Sequence, residues 1–242
     1  MKADTHAAGT YDRGTFDRAA LNAWWQLQGE WVEEPNVRRD GSSGVQRIHD
    51  KQGRLLYAKR QVGHLYRSLR HPLGSPTVLR ERAALLGARK AGVNVPEIVY
   101  CAAEQGPDGW RGLLITAALD GFQALDEWYA QGGRERHGEQ LHKRLLQEIA
   151  TNLARLHLAR WQHGCLYDKH IFVRITGAGE AAQVDVALLD LEKCRRRLTR
   201  TQAALHDLRQ LKRHSAWNEA DWQRLIDAYQ ATFGSAIKGL PA

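Results

Sequence analysis

The sequence predicts an α+β protein with a small strand-rich N-terminal part and a helical C-terminal part. Up to about residue 119, short alternating or apolar runs bounded by Gly- and Pro-containing turns are typical of strands. Beyond about residue 122, apolar residues recur at helical spacing, most clearly over 137–159, 201–213 and 218–232. A block of strands followed by a block of helices is the order expected of an α+β chain.

Three parts are predicted along the chain: an N-terminal extension over 1–35, a strand-rich lobe with one helix over 36–119, and a helical lobe over 120–242. The extension carries Trp24, Trp25 and Trp31. We interpret these bulky side chains as a clamp that holds the extension onto the body of the protein. Docking to a membrane interface or to a partner is the alternative.

Length, charge and cysteine content limit the class of protein. A chain of 242 residues suits one domain or one two-lobed unit. The net charge of +8 favours an anionic partner such as a nucleotide, a nucleic acid or a phosphorylated membrane face. Three cysteines without a C-x-x-C pair indicate a reducing cytoplasm. The chain shows neither the apolar stretch of a signal peptide nor an apolar run long enough to span a bilayer, so any membrane role is expected to be peripheral.

Two strands around the turn D-K-Q-G at 50–53 form a predicted hairpin in the strand-rich lobe. The G-S-S-G segment before it predicts a turn that lies over phosphate groups, because glycine lets backbone N–H groups approach closely. Its residues are Gly41, Ser42, Ser43 and Gly44. A plain hairpin loop explains the same four residues equally well. Lys59 ends the alternating strand L-L-Y-A-K and matches the strand lysine that contacts nucleotide phosphates in kinases.

A helix is predicted over 77–92, where apolar residues recur at helical spacing between Pro76 and Gly92. Glu81 lies on its first turns and would pair with Lys59, which would keep the lysine aimed at phosphate. The alternative for Glu81 is a surface Glu–Arg pair worth a few tenths of a kcal/mol.

Two further strands are predicted over 95–104 and 110–119. The end of the second strand, which includes Thr116, would be the hinge between the lobes and would line an adenine pocket. A buried strand without a ligand fits the same apolar pattern.

The segment H-G-C-L-Y-D-K-H-I-F-V at 163–173 matches the catalytic loop of kinases, and the strand that ends in Asp190 matches their metal-binding segment. His163 fills the histidine position of the H-R-D-L-x-x-x-N loop, and His170 fills the asparagine position. Cys165 stands where the catalytic aspartate is expected.

These residues differ in the chemistry they offer. Asp190 supplies a hard oxygen ligand suited to Mg²⁺. His170 is a softer ligand that would instead hold Asp190 or the phosphates by hydrogen bonds, or be a structural histidine. The neutral thiol of Cys165 is a weak hydrogen-bond partner. Asp168 would then accept the proton of the acceptor hydroxyl, unless it caps the loop or pairs with Lys169.

The run K-C-R-R-R-L-T-R at 193–200 is strongly basic. It is either a solvated loop and helix start or a docking surface for a phosphate-rich acceptor. Two amphipathic helices, over 201–213 and 218–232, follow it along the chain.

Several blocks of the sequence resemble the lipopolysaccharide kinase family, the InaA/WaaP-like proteins, which are distant relatives of the protein kinases. The resemblance covers roughly 24–195. Its most specific blocks are W-W-Q-L-Q-G-E-W-V-E-E-P-N at 24–36, R-R-D-G-S-S-G-V-Q-R at 38–47, Y-A-K-R-Q at 57–61, R-H-P-L-G-S-P-T at 70–77, the loop at 163–173 and L-D-L-E-K at 189–193. The resemblance implies a two-lobed protein-kinase-like fold with a small β-rich N-lobe and a helical C-lobe.

The resemblance also implies an ATP-dependent kinase that uses Mg²⁺ and phosphorylates a heptose of the lipopolysaccharide inner core. It implies a cytoplasmic protein that is peripheral on the cytoplasmic face of the inner membrane and binds the core oligosaccharide. No nucleic-acid partner is expected. Lys59 and Glu81 match nucleotide positions, and Asp190 matches a metal position. The WaaP-like members carry an aspartate where this chain has Cys165, and a histidine in the position of His170.

The sequence leaves two hypotheses of different class, and Cys165 is the evidence for the second. The first is an ATP-dependent sugar kinase acting on the lipopolysaccharide core, in which the Lys59 amine and the Asp190 carboxylate meet around one triphosphate. The second is a catalytically impaired pseudokinase that binds nucleotide or lipopolysaccharide and acts as a scaffold. A phosphotransferase for another small molecule or a protein is a weaker third hypothesis, and the missing A-P-E block argues against an ordinary protein kinase.

Overall fold

The structure, a computed structural model, describes residues 17–38, 41–69, 71–107 and 109–240. The chain divides into two compact units: Met1–Arg82 with Glu97–Ala118, and Ala83–Pro96 with Leu119–Ala242. The predicted α+β class is confirmed, because the first unit is rich in strands and the second is mainly helical. The division at residues 35 and 119 stays a prediction, and residues 1–16 of the expected extension lie outside the described residues.

The first unit is built on a five-stranded antiparallel sheet with the strand order β1-β2-β3-β7-β6. Its elements are α1 (Arg18–Gln26), β1 (Glu30–Arg38), β2 (Gly41–His49), β3 (Leu55–Val62), the hairpin β4 (Leu65–Ser68) and β5 (His71–Pro76), the start of α2 (Thr77–Lys90), β6 (Ile98–Gly106) and β7 (Gly109–Ala117). The predicted β2–β3 hairpin is confirmed, and its turn contains Gly53 at φ 77°. The helix predicted over 77–92 and the strands predicted over 95–104 and 110–119 are confirmed as well.

The turn predicted for the G-S-S-G segment is wrong. Residues 41–44 are the first part of β2, paired with β1 on one side and β3 on the other. Both glycines are needed for close contact rather than for a turn. A Cβ on Gly41 would lie 2.7 Å from the backbone of Gly63, and one on Gly44 would lie 2.7 Å from the ring of Trp31. The connection between β1 and β2 falls on residues 39–40, outside the described part of the chain.

Helix α1, which the sequence patterns did not predict, covers one face of the sheet. Leu21 is fully buried in the core cluster of this unit, and Trp24 stacks on Tyr100 with ring centroids 6.1 Å apart. Arg60 on β3 donates to the carbonyl of Trp25 at 2.5 Å and lies over the Trp25 ring. The interpretation of these tryptophans as a clamp is therefore confirmed for Trp24 and Trp25.

The other face of the sheet receives α2 through the buried side chain of Gln61 on β3. Its Oε1 accepts from the Thr77 hydroxyl at 2.6 Å and from the backbone N–H of Val78 at 3.1 Å. One of the N–H groups that an α-helix leaves without an intrahelical partner is thereby satisfied by a strand side chain. The Gln61 amide also donates to Ser43 at 3.2 Å. Gln61 therefore fixes the first turn of α2 against β2 and β3.

The second unit is mainly helical. Its elements are α3 (Leu125–Ala130), α4 (Gly133–Leu158), α5 (Arg200–His214), α6 (Glu219–Phe233), a small sheet of β8 (Gln123–Ala124), β10 (Ile171–Thr176) and β11 (Gln183–Leu188), and the pair β9 (Trp161–Gln162) and β12 (Arg195–Arg196). The predicted helices are confirmed, whereas β10 was not predicted because it follows directly on the loop. Helix α4 contains a break at Gly138, at φ 78° and ψ 167°.

The core of this unit lies along α4. Leu145, Ile149 and Leu153 follow one another on its buried face, and Tyr229 and Phe233 of α6 are buried as well. This spacing of three to four residues is the pattern by which one stripe of a helix is removed from water.

Across the described residues, we find no helix that has both the length and the apolar character needed to cross a bilayer.

We expect Gln61→Leu to lower the free energy of unfolding by about 1–3 kcal/mol, because it leaves buried hydrogen-bonding groups at the start of α2 without partners. Gln61 is only 1% exposed, so water cannot replace the lost bonds. Urea unfolding measures the effect. Gln52→Leu, an exposed glutamine in the β2–β3 turn, is the matched control and should change stability little. Equal effects of the two substitutions would contradict this account of α2.

Candidate active site

In the first unit, Lys59 and Glu81 form a short ion pair. The Lys59 amine lies 2.7 Å from Glu81 Oε2, and the side chains are only 15% and 9% exposed. The sequence places them there for a local reason. Lys59 and Gln61 are two residues apart on one face of β3, and Glu81 lies one turn beyond the helix start that Gln61 fixes. The Glu81 carboxylate orients the Lys59 amine and favours its charged form. A cation held in a fixed position is what binding phosphate requires.

The other predicted nucleotide residues of this unit take different positions. Lys59 pairs with Leu114 across β3 and β7, and Thr116, two residues further along β7, therefore shares the sheet face of Lys59. Ser43 lies opposite Gln61 on the same face, where its hydroxyl accepts the Gln61 amide. Ser42 points to the opposite face because neighbouring strand residues alternate.

In the second unit, His163 is buried at the start of the loop that follows β9. Its Nε2 donates to the carbonyl of Leu189 at 2.8 Å, and its Nδ1 has no hydrogen-bond partner among the described residues. Protonation of Nδ1 would therefore bury an uncompensated charge, and this burial lowers the pKa of His163 below its ordinary value. Through this hydrogen bond, the neutral His163 ring connects the loop to Leu189, the residue before Asp190.

Asp207 on α5 holds the backbone of this loop. Its carboxylate accepts the backbone N–H of His163 at 2.5 Å and that of Gly164 at 2.9 Å. Burial would raise the pKa of Asp207, but hydrogen bonds from His157 and His206 outweigh burial and hold that pKa below its ordinary value. A fully buried carboxylate that accepts four hydrogen bonds is an ionised anchor for the loop.

Gln210 extends the anchor by one helical turn. Its Oε1 accepts the backbone N–H of Leu166 at 2.8 Å, and its amide donates to the Tyr167 hydroxyl at 3.2 Å. Gly164, at φ 81°, has no room for a side chain, since a Cβ would lie 2.9 Å from the Lys193 carbonyl. The loop on both sides of Cys165 is thereby fixed.

Cys165, His170 and Asp190 come together in this unit, as the motif predicted. Their potential ligand atoms all lie within 4.8 Å of one another. His170 Nδ1 donates to the Cys165 carbonyl at 2.6 Å, and His170 Nε2 lies 3.6 Å from Asp190 Oδ2. Asp190 has left-handed backbone angles, φ 56° and ψ 60°, which are uncommon outside glycine.

The donor atoms of this cluster fit Mg²⁺ only in part. Mg²⁺ prefers oxygen ligands and is commonly held by one or two carboxylates together with substrate phosphates, a role that the half-exposed Asp190 fits. The His170 nitrogen and the Cys165 sulfur do not belong to an oxygen set. Asp168, the predicted base, begins a short 3₁₀ turn, and its carboxylate accepts the backbone N–H of Lys169 at 2.9 Å.

The sequence patterns missed Gln61, Asp207 and Gln210. A signal exists for Gln61, which is two residues from Lys59 on the same alternating strand. A signal also exists for Asp207, because it interrupts the apolar stripe of α5 formed by Ala203, Ala204, Leu208 and Leu211. A carboxylate on the buried face of an amphipathic helix needs donors, and the nearest loop supplies them here.

We expect the free energy of unfolding to fall as the pH drops from 7.5 to 5.5. Unfolded His163 takes up a proton below about pH 6.5, whereas the folded ring, with its lowered pKa, does not. The unfolded state then binds more protons, so stability falls with pH by up to about 1.4 kcal/mol per pH unit for this group. Buried His142, whose pKa burial also lowers, acts in the same direction.

Urea unfolding at a series of pH values measures this slope. His163→Gln keeps a donor toward Leu189 but cannot titrate, and it should make the slope shallower below about pH 6.5. His49→Gln, at an exposed histidine, is the matched control. An unchanged slope in His163→Gln would show that this histidine titrates alike in the folded and unfolded states.

Comparison with known proteins adds to this geometry. A family model described as the lipopolysaccharide kinase (Kdo/WaaP) family matches residues 22–229. Protein InaA of Escherichia coli (strain K12) is 41% identical over 212 residues, which cover 87% of this chain and 95% of that protein.

Among solved structures, that of WaaP in complex with acyl carrier protein matches with a TM-score of 0.67 at 21% identity, covering 88% of this chain and 82% of that chain. This likeness confirms the predicted protein-kinase-like fold. The family model and InaA each cover well over two thirds of the sequence. The chain therefore belongs to the lipopolysaccharide kinase (Kdo/WaaP) family.

Proposed function

We propose that the protein is an ATP-dependent kinase that phosphorylates a heptose of the lipopolysaccharide inner core. The family implies a phosphotransferase. The observation that carries the proposal is the Lys59–Glu81 pair, in which a shielded carboxylate 2.7 Å away keeps one amine oriented. Phosphoryl transfer depends mainly on positioning and charge compensation, and this pair supplies both for the phosphates of ATP. Thr116, on the same sheet face, would contact the nucleotide.

Asp190 would hold the Mg²⁺ that enters with the nucleotide, and this ion would neutralise charge on the phosphates. His163 and Asp207 would not contact the substrate; their role would be to keep the loop in place. The acceptor oxygen would attack the γ-phosphorus, the bond to the β,γ-bridging oxygen would break, and ADP would leave. Asp168 would accept the proton of the acceptor hydroxyl.

The acceptor side of the proposal rests on charge. Residues 193–214 contain eight Lys or Arg and one acid, a net +7 of the +8 carried by the whole chain. The one acid is the buried Asp207, so the surface of this segment is basic throughout. An open groove of about 460 Å³ on α5 is lined by Arg197, Arg209 and Arg213, among others.

We call the groove lined by Arg197, Arg209 and Arg213 the α5 groove. Gln210 also lines it and bonds Leu166, the residue after Cys165, so the groove borders the loop. A phosphorylated oligosaccharide bound there would lie next to the proposed base. The same basic surface would hold the protein on the anionic cytoplasmic face of the inner membrane.

A pseudokinase is the second candidate function, and one observation favours it. The Cys165 side chain is buried and replaces a carboxylate, while the Asp168 carboxylate already accepts the backbone N–H of Lys169. In this case the Lys59–Glu81 pair would bind nucleotide without transfer, and the protein would act as a scaffold.

An assay with ATP, Mg²⁺ and isolated core oligosaccharide separates the two candidates. For the kinase we expect transfer that Lys59→Met lowers by about 10²-fold or more, since a preorganised charge at the phosphates is lost. Asp168→Ala should cost about 10²–10⁴-fold if this residue is the base. Lys51→Met, at an exposed lysine in a turn, is the control. Nucleotide binding without any transfer, in both the natural chain and Cys165→Asp, would support the pseudokinase instead.

Removing two charges tests the α5 groove. Arg209→Gln with Arg213→Gln should raise the KM for the phosphorylated acceptor by about 10- to 30-fold at low salt, at about 1 kcal/mol per charge, and leave the KM for ATP unchanged. Binding to vesicles that contain anionic lipid should weaken in parallel, and more salt should reduce both effects. Lys51→Gln with Lys90→Gln, at exposed lysines elsewhere, is the matched control. If both double variants weaken acceptor and vesicle binding equally, the effect comes from overall surface charge, and the α5 groove has no specific role.

A further inference from the structure

We propose that Cys165, His170 and Asp190 form a binding site for Zn²⁺. This inference rests on the geometry of the three side chains and not on the proposed kinase activity. Zn²⁺ bound here would take the Asp190 carboxylate, so it is an alternative to the Mg²⁺ proposed for that residue. One sulfur, one nitrogen and one oxygen donor lie within 4.8 Å of one another. All three belong to the second unit. Cys165 and His170 lie on the loop whose backbone is held by Asp207 and Gln210, and Asp190 follows β11.

The orientation of His170 is that of a metal ligand. The Cys165 carbonyl can only accept, so His170 Nδ1 carries the proton in their 2.6 Å hydrogen bond. In the neutral ring the lone pair is then on Nε2, the nitrogen that lies 3.6 Å from Asp190 Oδ2. Metal-binding histidines commonly donate their other N–H to a carbonyl or carboxylate in this way, which fixes the tautomer and the ring.

The donor set selects the metal. Mg²⁺ and Ca²⁺ take oxygen ligands, whereas Zn²⁺ accepts thiolate, imidazole and carboxylate together. Two ligand atoms 3.6 Å apart need only a small closure to share one ion at bond lengths of about 2.0–2.1 Å. Three protein ligands leave a fourth tetrahedral position for water or a phosphate oxygen.

Two neighbours bear on the site. The Lys193 amine lies 3.8 Å from Cys165 Sγ, but Lys193 is an exposed residue and can turn toward solvent when a cation binds. The His163 ring lies parallel to His170 at 5.9 Å, and its Nε2 is already engaged by the Leu189 carbonyl. His163 is therefore a wall of the site and not a fourth ligand.

The protein contains a second group of similar composition, formed by Glu139, His142 and Asp221. There Arg134 donates to Asp221 and to Glu139, each at 2.8 Å, so a metal ion would compete with a bound guanidinium. Because this group lacks sulfur and already contains its cation, it provides an internal control.

The test uses the full chain, freed of metal with a chelator and kept reduced without added thiols. We expect one Zn²⁺ per chain, with a Kd at or below about 1 µM in competition with a chromophoric chelator, weaker than four-ligand structural sites. Co²⁺ should give a thiolate-to-cobalt charge-transfer band. Neither measurement involves phosphate transfer.

Cys165→Ser should abolish the band and weaken Zn²⁺ binding by about 100-fold or more, since second-shell losses alone cost 10–100-fold. His170→Ala should weaken binding as well. Cys101→Ser, a buried cysteine of the first unit, and Glu139→Gln should leave band and affinity unchanged. Should Cys165→Ser fail to fold, Cys165→Asp restores a carboxylate and must still lose the band. A band that persists without Cys165, or the absence of stoichiometric binding, would overturn the proposal.

Discussion

The buried carboxylate of Asp207 is the interaction on which the second unit depends. A charge in this position is costly to remove from water, and it is retained because four N–H groups surround it. Two of these are backbone groups of the loop, which has no regular secondary structure to satisfy them. These hydrogen bonds offset the cost of burying the Asp207 charge. They also satisfy two backbone N–H groups of the loop that a neighbouring strand would otherwise have bonded. The hydrogen bonds to Asp207 and to the Leu189 carbonyl therefore fix the position of the His163 ring, and no charge on the ring is needed.

The elements of the fold could be predicted from the sequence because their patterns are local. The helices α2, α4, α5 and α6 have apolar residues at helical spacing, and the β2–β3 hairpin has a glycine where its turn needs a positive φ. The glycines at 41 and 44 misled the prediction for a physical reason. Glycine occurs both in turns and where two backbone segments pack closely. Which of the two applies depends on the segment of the same chain that packs against the glycine, and the local sequence does not show this.

The candidate site was predictable to the extent that it follows motif spacing. Cys165, His170 and Asp190 were placed together correctly, and so was the pair of Lys59 with Glu81. The supporting residues could not be found in this way. Gln61 and Asp207 act on groups 16 and 44 residues away, and nothing in their own neighbourhood in the sequence specifies the backbone they will meet. Long-range satisfaction of backbone N–H groups is a property of the folded chain.

The concentration of charge in 193–214 has a further consequence, because the remainder of the chain is almost electrically balanced. A molecule with its excess cations on one short segment has a large electric moment as well as a net charge. In the field of a polyanion it experiences a torque that turns this segment forward before contact. Orientation during diffusion then precedes recognition, and productive encounters become frequent even where the contact itself is weak.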